Sequence, residues 1–183
     1  MITVTMQDKL LEIRPITEND LDEVLHVYQH CEDFLALGPV ATASMEMVLK
    51  DIQLSQEEGG LFCGIYTADG TMIGVVDYVP KHYRNNPQVA YLELLMIDPS
   101  FRNHGIGKAV FEGVENEIRK DPSVRAFLAG VQVNNPHAVQ FWQRNGFRIT
   151  SEPKLMPDQT TVFDLQKDLT TENSLLRDTL KKA

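Results

Sequence analysis

Seven consecutive residues, Arg102-Asn103-His104-Gly105-Ile106-Gly107-Lys108, carry the clearest chemical potential in this chain. They stand between an apolar run, Val89 to Ile97, and a stretch in which Ala109, Val110, Val114 and Ile118 recur at helical spacing. The run reads as a buried strand closed by the turn pair Asp98-Pro99. A glycine-bearing loop at a helix start offers backbone N–H groups without helical partners and the positive end of the helix dipole. Such a place binds anions. Arg102 and Lys108 add positive charge at its edges, so the pattern predicts a phosphorylated ligand.

Three kinds of loop share these features. A P-loop needs Ser or Thr after the lysine and an earlier glycine, but Ala109 follows Lys108 and Arg102 fills the upstream place. A dinucleotide fingerprint needs a third glycine where Val110 stands. The third pattern is Arg/Gln-x-x-Gly-x-Gly/Ala after a strand, and Arg102, Gly105 and Gly107 fit it without a gap. A second stretch follows the apolar segment Val124 to Val133. It reads Asn134-Asn135-Pro136-His137-Ala138, then Val139-Gln140-Phe141-Trp142, then Gln143-Arg144-Asn145-Gly146-Phe147. Asn135 suits a helix N-cap, Pro136 the first helical position and Gly146 a left-handed C-terminal residue.

Together the two motifs resemble the GNAT superfamily of acetyl-CoA-dependent N-acetyltransferases, whose second motif is Asn-x-x-Ala-x-x-x-Tyr-x-x-x-Gly-Phe. Asn135, Ala138, Gly146 and Phe147 match, and Trp142 takes the Tyr place. The resemblance is specific over residues 89–148 and extends over 10–168.

Composition agrees with one α/β domain over residues 1–169. The chain has 183 residues, enough for one sizeable core and few for two. A formal net charge of −9 argues against nucleic acid and mildly favours amines, although solubility alone accounts for such a charge. Cys31 and Cys63 lack metal-ligand spacing and read as reduced core thiols; no metal site is expected. Asp8, Lys9, Glu12 and Arg14 interrupt the N-terminus, and Glu93 breaks the longest apolar stretch. The expectation is a cytoplasmic protein without a signal peptide or membrane span.

The elements alternate. A strand is predicted over Leu10–Ile16, a helix over Glu18–Leu37, and a second helix from a Ser44 cap to Leu54. Strands over Leu61–Tyr66 and Met72–Pro80 flank the hairpin signal Asp69-Gly70. After the two motifs comes an antiparallel pair near Phe147–Thr150 and Thr160–Gln166. This order matches the GNAT fold, a mixed central sheet of about seven strands with flanking helices. The tail 170–183, with Leu175, Leu176 and Leu180, reads either as a short amphipathic helix or as a frayed end. Many relatives dimerise, and the tail is a candidate contact either for a homodimer partner or for its own domain.

The resemblance implies direct transfer of an acetyl group from acetyl-CoA to an amine. Asn103 to Lys108 match the phosphate-binding stretch, and backbone groups of Leu95, Met96 and Ile97 would pair with the pantetheine arm. Asn135 matches a position that contacts the cofactor. A lysine-like amine is neutral in only about one molecule in 2,500 at pH 7, so some group must take its proton. Glu93, a carboxylate in the apolar strand, is the leading base; its alternative is a partnered structural glutamate. Tyr91 stands where one family branch carries its base, and Gly130 where another carries a Glu. Asp77 is the other strand carboxylate, for which satisfied polar packing competes with cation binding. Trp142 replaces the Tyr that protonates the leaving thiolate in many relatives, and an indole is no acid. His137 is an alternative donor or a bland helix-start residue. Lys81-His82-Tyr83-Arg84 is either a solvated loop or a flank of the adenosine 3′-phosphate. The best reading is an acetyltransferase of a small-molecule or peptide amine. It competes with a catalytically degenerate GNAT domain that binds CoA as a sensor or interaction module, and with an unrelated phosphate-binding α/β protein.

Overall fold

Segments rich in β-branched and aromatic residues, parted by Gly, Pro and Asn turns, pair into one sheet. The structure, a computed structural model, describes residues 1–6 and 9–170. In chain order the elements begin with β1 (Ile2–Met6), β2 (Lys9–Pro15), α1 (Leu21–His30), α2 (Glu32–Leu35) and α3 (Met45–Glu57). Next come β3 (Leu61–Thr67), β4 (Met72–Val79), β5 (Val89–Ile97), α4 (Ile106–Ile118) and β6 (Ala126–Gln132). The last are α5 (Pro136–Arg144), β7 (Arg148–Ile149), β8 (Lys154–Leu155) and β9 (Thr161–Asp168). The strand order is β1-β2-β3-β4-β5-β6-β9-β7, with β8 also on β9. Among the described residues, every pairing is antiparallel except β5 with β6.

The mixed sheet and flanking helices are those expected, with nine strands rather than seven among the described residues. The additions are the short β8 and the N-terminal β1, whose Ile2, Val4 and Met6 pack against the main core. The helix expected over Glu18–Leu37 is divided. A 3₁₀ turn, Glu18–Asp20, is held by the Asp20 carboxylate, which accepts from the backbone and hydroxyl of Thr17 (both 2.7 Å) and from Arg14 (3.0 Å). Cys31, off helical geometry at φ −101°, ψ 22°, then separates α1 from α2. Ser44 caps α3 as expected, accepting from the Met47 N–H at 3.2 Å. The tail beyond Thr170 lies outside the described residues.

Apolar side chains fill both faces of the sheet. Phe111, Val114 and Phe127 belong to the layer under α4 and α5, and Val24, Val48 and Phe62 to the layer under α1 and α3. Gly113 on α4 is where β1 comes closest, since a Cβ there would lie 2.6 Å from Val4 Cγ2 and 3.3 Å from Ile2 Cγ2. Gly113→Ala gains helix propensity but overpacks this contact, so a net loss of about 1–2 kcal/mol is expected. A lowered urea midpoint measures it; an unchanged or raised midpoint would mean that β1 yields freely.

The ladder between β5 and β6 stops at Leu92 and Ala129, although β5 continues to Ile97 and β6 to Gln132. This parallel pair therefore opens towards its C-terminal end. Among the described residues, no helix is long and apolar enough to cross a membrane.

Candidate active site

The glycine loop leads into the N-terminus of α4. Gly105 sits at φ +80°, where side chains are strained, and Asn103 is also left-handed at φ +64°. The first helical bond runs from the Ala109 N–H to the Gly105 carbonyl at 3.0 Å. Among the described residues, the backbone N–H groups of Asn103, His104, Gly105, Ile106, Gly107 and Lys108 donate to no protein acceptor. The nearest atom to a Cβ built on Gly105 is Met6 Sδ, at 3.5 Å. An open cradle of donors at a helix N-terminus is what a pyrophosphate requires.

Arg102 is turned inwards. Its Nε donates to the Ile97 carbonyl at 2.7 Å, its Nη2 lies 3.5 Å from Cys31 Sγ, and its guanidinium clasps the Asp33 carboxylate. This pairing holds the Asp33 carboxyl below the usual range. Arg102 thus ties the loop to β5 and α2, while Lys108 stands 3.5 Å from the Glu112 carboxylate one turn along α4. Exposed His104 stands beside them.

The edge of β5 supplies a second set of groups. The Asp98 N–H bonds to the Ile73 carbonyl on β4 at 2.9 Å. Backbone direction alternates along a strand, so Met96 also points to β4, while Leu95 and Ile97 point to the opening. The Ile97 carbonyl is already taken by Arg102. Leu95, with the Ile97 N–H, therefore offers what an extended arm can pair with, whereas Met96 contributes its side chain to the core under α1 and α3. A cleft of about 990 Å³ joins this edge to the loop, with Phe34, Leu37, Asn135, Phe141 and Trp142 among its walls.

Across β5 lies a group of carboxylates. The register runs Asp77 to Leu94 and then Tyr78 to Leu92, which leaves Glu93 without a partner in a β-bulge. A bulge re-aims a side chain, here where β5 and β6 begin to part. Glu93 is reached by water. Its pKa is nevertheless pushed up to about 8, by desolvation first and then by the nearby Glu58 carboxylate. Asp77, 4% exposed, accepts from Ser55 Oγ at 2.7 Å, and burial raises it to about 6. Asp51 accepts from the Tyr28 hydroxyl at 2.8 Å and is raised by burial as well. Tyr91 stacks on Tyr83 with ring centroids 4.0 Å apart. A Cβ on Gly130 would lie 2.8 Å from the Tyr91 hydroxyl, so that hydroxyl occupies the gap over β6. Burial and the Glu93 charge raise the Tyr91 pKa, keeping the phenol protonated.

Comparison with known proteins gives this arrangement a family. A model described as the acetyltransferase (GNAT) family matches residues 21–147. The chain belongs to the GNAT acetyltransferase family. The glucosamine 6-phosphate N-acetyltransferase of Trypanosoma brucei brucei is 25% identical over 140 residues, covering 75% of this chain and 89% of its own. An acetyltransferase from Thermus thermophilus shares the fold with a TM-score of 0.73 at 22% identity, over 92% of this chain and 100% of that one. The spermidine N-acetyltransferase of Vibrio cholerae, in complex with CoA and spermine, gives 0.66 at 14% identity, over 86% and 95%.

In this acetyltransferase the second motif is built as its residues imply. Asn135 Oδ1 caps α5, accepting from the Ala138 N–H at 3.0 Å, and Gly146 closes the helix at φ +90°. Trp142, 6% exposed, packs edge-on against Phe111, Phe141 and Phe147, with ring centroids 4.7–5.4 Å apart. It serves as a wall of the cleft. His137 also borders the cleft, whereas Lys81 pairs with Asp121 at 3.0 Å. Cys31 and Cys63 are buried and free, and burial raises both thiols, Cys63 to about 12. The structure adds Glu58, Asp33 and Asn134 to the site. The Asn134 amide donates to the Leu37 carbonyl at 3.0 Å and ties the turn after α2 to the start of α5. Glu58 and Asp33 lie in neither motif and only the fold brings them close, whereas Asn134 directly precedes Asn135 in the second stretch.

Proposed function

We propose that this acetyltransferase transfers the acetyl group of acetyl-CoA directly to a primary amine, with Glu93 as the base. The observation that carries the reading is the placement of Glu93 in a bulge at the point where β5 leaves β6. Acetyl-CoA supplies an activated acyl carbon whose thiolate departs. The N–H groups from Asn103 to Lys108 hold its pyrophosphate, and the Leu95 backbone aligns its arm. Glu93 takes the proton of the amine, directly or through water. Tyr91, kept protonated and with its hydroxyl over Gly130, is a candidate donor to the departing thiolate. Asp51, Glu58 and Asp77 make this face of the sheet acidic, which suits a cationic acceptor of the spermidine kind better than a phosphorylated one such as glucosamine 6-phosphate.

A second reading, a CoA-binding domain without turnover, draws on Trp142 in the place of the usual Tyr. Thiol release from acetyl-CoA across a panel of primary amines separates the two: turnover is expected, and binding without thiol release would support the second. Trp142→Tyr bears on the same point. The indole packs, so the variant is expected to lose about 1–3 kcal/mol of stability and to keep turnover within about threefold. A large gain in turnover would show that thiolate protonation limits the rate.

A further inference from the structure

The loop before β5 holds three residues other than glycine in the left-handed region, His82 at φ +65°, Arg84 at +51° and Asn85 at +62°. Such conformations are costly and persist where the surrounding structure requires them. What they flank here is Tyr83, 7% exposed. Its ring lies flat on that of Tyr91, with centroids 4.0 Å apart and planes 10° from parallel. The Arg84 guanidinium stands 5.1 Å from the Tyr83 centroid. Tyr91 is thus braced from behind by a second ring and a cation.

The braced ring leans towards the opening of the sheet. Tyr91 pairs with Leu128 in the parallel ladder, yet its hydroxyl reaches Gly130, two residues further along β6, where a Cβ would lie only 2.8 Å from it. The last ladder pair, Leu92 with Ala129, stands just before that point. On the α4 and α5 side, Ala129, Val131 and Trp142 are all buried in the main core and close the opening. The cleft itself reaches Leu95 and Trp142. A chain that continues from Leu95 towards the last ladder pair therefore runs into the Tyr91 phenol.

We propose that Tyr91, braced by Tyr83, is a length gauge for the acyl donor, leaving room for an acetyl group and excluding butyryl and longer chains. This rests on the acetyl-transfer reading above and adds a specificity role, separate from any proton that Tyr91 gives. Gly130 belongs to the same device, since the absence of a side chain there is what lets the phenol come so far over β6.

Calorimetric titration with acetyl-CoA and butyryl-CoA in wild type, Tyr91→Phe and Tyr91→Val tests the gauge. Because affinity is read, the loss of a proton donor plays no part in the result. The wild type is expected to bind butyryl-CoA at least about tenfold more weakly than acetyl-CoA, the cost of forcing extra methylenes into filled space. Each methylene that finds room contributes about fourfold in affinity, so the two that butyryl adds contribute about fifteenfold. Tyr91→Val keeps a β-branched residue in the strand and removes the ring, and it is expected to bind butyryl-CoA at least as tightly as acetyl-CoA. Tyr91→Phe removes only the hydroxyl over Gly130; it should fall between the two, and it reports even where the valine variant does not fold. Equal affinities in the wild type, or a ratio unmoved in the variants that fold, would overturn the proposal. Thiol release from acetyl-CoA with primary amines tests the other layer. Turnover with an unmoved ratio removes the gauge alone, whereas a moved ratio without turnover removes the catalytic reading and leaves the gauge.

Discussion

Gly105→Glu is expected to abolish measurable acetyl-CoA binding while the fold survives. At φ +80° any side chain carries strain of about 1–2 kcal/mol, which an exposed loop tolerates. The larger effect falls on the ligand. The new carboxylate would stand beside backbone N–H groups that have no acceptor among the described residues and set like charge against the pyrophosphate. Losing two or more charge-assisted hydrogen bonds, at about 1.5–3 kcal/mol each, predicts a fall of at least about 100-fold in affinity. Calorimetric titration measures it, with circular dichroism as the check on folding. Gly105→Ala is the control: a methyl group meets only Met6 Sδ at 3.5 Å, so most of the binding should remain. A folded Gly105→Glu protein with wild-type affinity would move the phosphate site elsewhere.

Glu93→Gln is expected to lower turnover by about 10²–10⁴-fold, the range of a lost general base, and to leave acetyl-CoA affinity nearly unchanged. The amide keeps the volume of the side chain, and Glu93 lies outside the cleft that the loop and the Leu95 edge line. Because Glu93 is mostly protonated at neutral pH, the amide replaces a neutral carboxyl there, so the variant's stability should stay close to that of the wild type. Full activity at neutral pH would pass the proton to Asp77, Tyr91 or water.

Much of this was legible in the residues because the motifs are local. A strand, a glycine loop and a helix must follow one another to make the anion cradle, and Asn135, Pro136 and Gly146 announce both ends of α5. Glu93 stood out because a carboxylate in an apolar strand needs a reason. The bulge that aims it did not, since a bulge belongs to a register between two strands and not to either sequence. The orientation of Arg102 was hidden for a similar reason: Asp33, its partner, is 69 positions away. The same holds for Glu58 beside Glu93. β1 is a different case. Ile2, Val4 and Met6 alternate with Thr3 and Thr5, a legible strand, but five residues before the first predicted element carry little weight without the α4 surface that receives them.

The central claim is that Glu93 removes the proton, and the pH dependence of the acetyl-transfer step tests it most directly. A base must be ionised to act. With a pKa of about 8, Glu93 is mostly protonated at neutral pH, so the rate should climb about tenfold per unit up to about pH 8 and level off above it. The acceptor should be an amine whose own pKa lies well below 7, so that its ionisation adds no slope over the range. Single-turnover rates of acetyl transfer between pH 6 and 9.5 are the measurement. The wild type is expected to show the limb with its break near 8, and Glu93→Gln a low, flat profile; the same limb persisting in Glu93→Gln would contradict the account.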